Sequence, residues 1–298
     1  MILTVATEAN LLGLGAAVAW GVSDFCGGLA TKRAFPSLVV ALSHALSLTF
    51  LFFLIHLAGA PALTASTLKF GLLSGAAGGI GLMMFYEALA SGSMGLNSAL
   101  AGVLTPILPV IYECLYHKPP SIAQMVGFAL ALVAIWMIAY APAHKPHPRG
   151  LLLAAGSGVG FGLLLLFLEK AGHGGVLWAL ACSRLASASI ATMLTLFLFI
   201  RGRRVVFSDY GRQQHRRAAV RWLAFLPLVA FAGSLEITGN YCYTLGSVIG
   251  RLDVASVLSS LYPAITILLA AWVLRERATR KQILGMVLAL GAVVLISS

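Results

Sequence analysis

Residues Gln124–Ala134 read QMVGFALALVA and Gln282–Ala292 read QILGMVLALGA. Matching Ala and Leu are cheap in an apolar chain, but Gln and Gly in the same register are not, so the two stretches read as copies of one element. Other correspondences extend this repeat upstream. Tyr86 to Pro106 and Tyr243 to Pro263 have the same spacing, each proline lying within an apolar run. Ala41-x-Ser43-His44-x-x-Ser47 matches Ala181-x-Ser183-Arg184-x-x-Ser187, and Ala19-Trp20-Gly21 sits where Gly160-Phe161-Gly162 does. The most loop-like stretch, Ala141 to Gly150 (APAHKPHPRG), falls at the midpoint of the 298 residues. The expected units are therefore 1–141 and 150–298, joined by a linker at 142–149.

Composition sets the environment of that repeat. Sixty per cent of the chain is AVILMFWYC and only 10% is charged, with a mean hydropathy of +0.95; soluble domains carry about 25% charge. A soluble globule, a disordered chain and a disulfide scaffold are excluded, which leaves a polytopic membrane protein. Apolar runs of spanning length lie at 11–30, 38–58, 68–90, 97–116, 122–141, 150–168, 175–200, 222–246, 253–274 and 281–297. Long uninterrupted runs are helices, not barrel strands. The expected fold is all-α, with ten transmembrane helices in two five-helix repeats. Five is odd, so the second copy enters the membrane from the opposite side, an inverted-topology repeat of the kind secondary transporters use. Stripes of small residues, Gly71-x-x-x-Gly75-x-x-x-Gly79 and Ala154-x-x-x-Gly158-x-x-x-Gly162, place the third and sixth helices inside the bundle.

The net charge of +11 does not indicate nucleic acid, because seven Arg are confined to one connector, 201–221. Cys26, Cys114, Cys182 and Cys242 form no CxxC pair and read as small apolar residues. Ala17-Val18-Ala19 resembles a signal-peptidase site but lacks a basic segment before it, so a retained helix is expected. Fifteen of the twenty Lys and Arg fall in the loops after helices 1, 3, 5, 7 and 9; Lys69, Lys118, Lys170 and Arg251 lie opposite, and Arg184 is within a helix. The positive-inside rule then puts the odd loops in the cytoplasm and both termini outside.

Ionisable groups at the bilayer centre are costly and mark substrate or proton sites. Asp24 lies one turn after Trp20, and Glu236, Asn240 and Tyr243 form one stripe at i, i+4, i+7. The matching stripe of the first half is Gly79, Met83 and Tyr86, so the site is expected to be chemically lopsided. Asp24, Glu236, Asn240, Tyr243, Tyr86 and Trp20 are the candidate substrate- or proton-binding residues; each acid also has a structural reading as the partner of Arg184 or His44. Arg184, on a helix expected at the periphery, His44, Glu87, Thr105 and Tyr262 are secondary candidates, and Glu113 reads as structural. Pro106 and Pro263 remove a backbone donor and are candidate hinges. His144 and His147 read as a solvated linker, not a metal site, and no GxSxG, HExxH or P-loop motif is present.

Together these residues resemble the drug/metabolite transporter superfamily in its ten-helix EamA-like branch. The resemblance rests on the five-plus-five repeat, Trp20-Gly21, Arg184, Pro106 and Pro263, and Leu274-Arg275-Glu276-Arg277 followed by Gln282-x-x-Gly285. The first half departs from it, with His117-Lys118-Pro119-Pro120 where the second has Glu276-Arg277. The resemblance implies a secondary active transporter with a central cavity between helices 1, 3, 4, 6, 8 and 9. It implies termini inside, opposite to the charge count. The expectation is an exporter of a small polar or amphipathic metabolite (amino acid, amine or drug-like) in a bacterial inner membrane, working by alternating access without a cofactor. Its partners would be the small-molecule substrate, protons and membrane lipids, with no nucleic acid. An intramembrane enzyme on a lipid-linked substrate and a scaffold using the Arg-rich loop are the alternatives from other classes.

Overall fold

The computed structural model describes residues 4–31, 34–91, 94–117, 119–139, 148–201, 218–273 and 280–296. The midpoint linker with His144 and His147, most of the Arg-rich connector and the Leu274–Arg277 motif lie outside the described residues. All the secondary structure described is helical, and it runs α1 Val5–Thr31, α2 Pro36–Leu57, α3 Ala65–Ala90, α4 Met94–Leu104, α5 Ile107–Tyr116 and α6 Ile122–Ala139 in the first half. The second half contains α7 Pro148–Gly172, α8 Val176–Ile200, α9 Ala218–Ile249, α10 Leu252–Ser259, α11 Tyr262–Val273 and α12 Arg280–Ile296.

The fourth run of each half is one apolar stretch in sequence but two helices in space. Pro106 stands at the N-cap of α5 and Pro263 at the second residue of α11. Without a proline N–H, the carbonyls four residues upstream, at Gly102 and Ser259, lose their helical partner and the helix breaks. The two breaks touch, because Gly102 packs against the Pro263 ring, where an added Cβ would stand 2.7 Å from Cγ.

Other ends follow local chemistry. Thr64 caps α3 by accepting from the Thr67 amide at 3.1 Å. Pro36 opens α2, and Gly59, at φ +57°, ends it in the left-handed conformation that only glycine adopts without cost.

Packing joins the halves throughout. α3 lies along α7 and α1 along α9, α2 along α8 and α6 along α12. The secondary contacts mirror one another too: α1 packs on α10 and α11 as α7 packs on α4 and α5, and α3 packs on α8 as α9 does on α2. Glycines permit these approaches. Gly21 lies under the Tyr262 carbonyl and Gly162 under the Thr105 carbonyl, where a Cβ would be 2.7 and 2.8 Å away. The paired Trp20-Gly21 and Phe161-Gly162 thus seat each first helix on the broken helix of the other half. Likewise Gly75 meets the Ser183 backbone and Gly233 meets Ser43. The small-residue stripes of α3 and α7 are used in this close packing, without a hydrophobic drive between helices in lipid.

The polar groups are inside and the large apolar ones outside, the reverse of a soluble bundle. Asp24, His44, Arg184 and Asn240 are buried, while Phe50, Phe53, Leu152, Leu196, Phe199 and Trp272 project outward. Six described helical stretches are long and apolar enough to cross a membrane: Val5–Thr31, Pro36–Leu57, Ala65–Ala90, Pro148–Gly172, Val176–Ile200 and Leu252–Leu269. The protein is an integral, multi-pass membrane protein.

Candidate functional site

A narrow cavity, partly open to its surroundings, lies within the bundle. One wall comes from α1 and α9. Trp20 and Asp24 are one turn apart on α1, Glu236 and Asn240 one turn apart on α9, and the i, i+4 spacing turns each pair to the same side. The facing wall is Gly78 and Leu82 of α3 with Phe161, Leu164 and Leu165 of α7. Thr105 and Tyr262, the residues before the two prolines, complete the lining.

The repeat accounts for this plan. Phe161 is the counterpart of Trp20, Leu165 of Asp24, and Tyr262 of Thr105. The cavity is symmetric in position and asymmetric in chemistry, with polar groups from α1 and α9 facing hydrocarbon from α3 and α7. Sterics enforce the difference. The counterpart of Glu236 is Gly79, and a Cβ there would stand 2.7 Å from the Ser187 Cβ, leaving no room for a second acid.

The two acids have different environments. Glu236 is engaged on both oxygens: Oε1 accepts from Arg184 Nη1 at 2.8 Å, and Oε2 lies 2.7 Å from His44 Nε2. Arg184 Nη1 is also 2.7 Å from His44 Nε2, and His44 Nδ1 is 2.6 Å from the Ser187 hydroxyl. The Ser187 hydroxyl is also placed to donate to the Ser183 carbonyl at 3.0 Å. Arg184 and His44, counterparts in the repeat, thus converge on one carboxylate contributed by α9. Asp24, only 6% exposed, has neither a hydrogen-bond nor an ion-pair partner among the described residues.

Asn240 Oδ1 accepts from the Trp20 indole N–H at 2.8 Å. Its Nδ2, buried and with no hydrogen-bond partner among the described residues, remains a donor on the cavity wall. Gly239 makes this pair possible, since a methyl there would occupy the space of the indole.

Other sequence candidates sit elsewhere. Tyr243 is fully buried behind the wall: its hydroxyl donates to the Leu165 carbonyl at 3.2 Å, Ser256 Oγ is 3.1 Å away, and its ring lies 5.8 Å from the Trp20 ring. The Tyr86 hydroxyl is pressed against Gly27 of α1, and Tyr86 does not line the cavity. Glu87 is 45% exposed at the bundle end, 3.4 Å from Arg149. Glu113 lies 3.2 Å from His117 at the opposite end. Arg184 stands on α8, as read, but reaches inward and is 2% exposed rather than peripheral. Gly78, Leu82, Leu164 and Leu165 were not singled out by sequence; Phe161 was quoted only for its place in the repeat. The signal that finds Phe161 and Leu165 is the repeat offset from Trp20 and Asp24.

An all-helical bundle of two interlocked halves around a lopsided internal cavity is the plan of a membrane transporter of the drug/metabolite type. The profile of the EamA-like transporter family matches residues 7–140 and again 148–298, and the chain belongs to that family. A solved structure, described only as a crystal structure of a protein, is 19% identical. It superposes with a TM-score of 0.74 over 97% of this chain and 98% of its own, a likeness of fold alone. No curated protein matches the chain.

Proposed function

We propose that the protein is a secondary active exporter of a small amphipathic amine, moved by alternating access of the cavity between two inverted five-helix repeats. The observation that carries this reading is the unpartnered Asp24 carboxyl beside the Trp20 indole, opposite a wall of Leu82, Phe161, Leu164 and Leu165. A carboxylate attracts an ammonium group, the indole face favours a cation, and the hydrocarbon wall takes an apolar body. Asn240 Nδ2 can donate to a hydroxyl or carbonyl of the same molecule.

Glu236 is a positioning residue. Its two oxygens are occupied by Arg184 and His44, tying α9 to α8 and α2 across the halves. The same engagement speaks against an enzyme using Asp24 and Glu236 as an acid–base pair, since that pair needs both groups free. The inverted arrangement draws support from the odd number of runs per half and from the mirrored contacts. The touching breaks at Pro106 and Pro263 are the candidate hinges.

Exchange in proteoliposomes tests the reading. Vesicles loaded with unlabelled phenethylamine should accumulate labelled phenethylamine from outside, and Asp24→Asn should abolish accumulation. Equal accumulation by Asp24→Asn, or none by the wild type, would remove the amine reading.

A further inference from the structure

We infer that Gly78 of α3 sets how large an apolar body the cavity accepts, because it forms the recess into which Leu164 of α7 folds its side chain. This inference rests on the transporter reading above and adds a residue that determines selectivity by size.

Both residues line the cavity, on two helices that pack along one another. A Cβ on Gly78 would overlap the Leu164 Cδ1 methyl and stand 3.0 Å from its Cγ, against about 3.5–4.0 Å for a comfortable carbon contact. The leucine thus fills the volume that a larger residue at 78 would claim. Its backbone is held in place from both sides. The Ser74 hydroxyl, one turn before Gly78, donates to the Leu164 carbonyl at 3.1 Å. Gly160, one turn before Leu164, meets the α3 backbone, where an added Cβ would be 3.0 Å from the Ala77 carbonyl oxygen and from the Gly81 Cα. With the helices fixed, the end of the side chain is what yields. Protein interiors are close-packed, and the open space beside Leu164 is the cavity, so a methyl group at 78 turns the leucine into it.

The second half has its own recess. Gly239 of α9 takes the Trp20 indole, and a Cβ there would be 2.5 Å from Nε1. That ring is rigid and bonded to Asn240 at 2.8 Å, so it cannot swing without losing the bond. The two glycines are not counterparts: at the spacing that relates Tyr86 to Tyr243, Gly78 corresponds to Leu235 and Gly239 to Leu82. Gly239 fixes the polar wall, whereas Gly78 governs the depth of the apolar one. The displaced Leu164 methyl takes the room of about one methylene group of a bound amine, and burying one methylene is worth about fourfold in affinity.

Displacement of labelled phenethylamine from the purified chain in detergent tests the inference. The competitors are benzylamine, phenylpropylamine and phenylbutylamine, which share one charge and differ in apolar length. The quantity read is the affinity of the longest amine relative to the shortest, and comparing variants in the same micelles cancels partition into detergent. Gly78→Ala should lower this ratio about fourfold against the wild type. Adding Leu164→Ala removes the displaced methyl, so the ratio should return to the wild-type value or exceed it. A merely damaged seam would be worsened by that truncation. A ratio unchanged in Gly78→Ala, or lowered and not restored by Leu164→Ala, overturns the inference and leaves the cavity reading standing. Failure of Gly78→Ala to fold overturns it too, since the leucine then had no space to enter. Displacement indifferent to Asp24→Asn, or no binding of phenethylamine at all, overturns the cavity reading and the inference with it.

Discussion

Gly75→Ala adds one methyl group where α3 crosses α8. The new carbon would stand 2.6 Å from the Ser183 carbonyl carbon and 2.7 Å from its Cα, against about 3.5–4.0 Å for comfortable carbon contacts. The obstacle is backbone, which cannot rotate away, so the helices must part by about 1 Å. A gap of that size forfeits roughly a quarter to a half of each dispersion contact along the seam. Overpacking of this kind costs about 1–3 kcal/mol, and the upper end applies because no side chain can yield. Alanine recovers about 1 kcal/mol of helix propensity, leaving a net loss near 2 kcal/mol. Gly15→Ala is the matched control: its nearest neighbour would be the Cys242 sulfur at 3.8 Å, so only the propensity gain remains. Reversible unfolding in mixed detergent micelles should rank Gly75→Ala well below the wild type and Gly15→Ala level with it or above. Equal stability of the two variants would refute the backbone contact between α3 and α8 and the interlocking of halves built on it.

Glu236→Gln should destabilise the protein by about 3–5 kcal/mol, because the buried Arg184 loses its carboxylate. The Arg184→Gln/Glu236→Gln double variant should lose less than the sum of the single variants by more than about 1 kcal/mol in the same unfolding assay. A reporter fused after Ser298 and active only in the cytoplasm should stay silent, as fifteen of the twenty basic residues in odd-numbered loops dictate; activity would instead favour the termini-inside arrangement implied by the family.

Much of the architecture was written in the one-dimensional pattern. Gln124 and Gln282 with their glycines mark the repeat, Pro106 and Pro263 mark the breaks, and Trp20 with Asp24 shows one polar turn within α1. Helical periodicity gives the face of a residue, not what meets it. Glu236 and His44 are 192 positions apart, and only the packing of α9 on α2 brings them together. Arg184 looked peripheral because its helix is, yet its long side chain reaches the interior. Tyr86 and Tyr243 occupy equivalent places in the repeat and looked like a pair of ligands. One is pressed against Gly27 and the other bonds to the Leu165 carbonyl. The hydrocarbon wall was illegible for a plainer reason: Leu82, Leu164 and Leu165 are indistinguishable from packing leucines in a chain that is 60% hydrophobic.

Asp24 has no hydrogen-bond or ion-pair partner among the described residues, whereas both oxygens of Glu236 are engaged. Dicyclohexylcarbodiimide, which attacks protonated carboxyls in apolar surroundings, separates the two, with the adduct located by mass spectrometry of the digested protein. Modification is expected at Asp24, suppressed by phenyltrimethylammonium, with Glu236 unmodified. Modification of Glu236, or of both acids equally, would contradict the assignment of Asp24 as the free carboxyl.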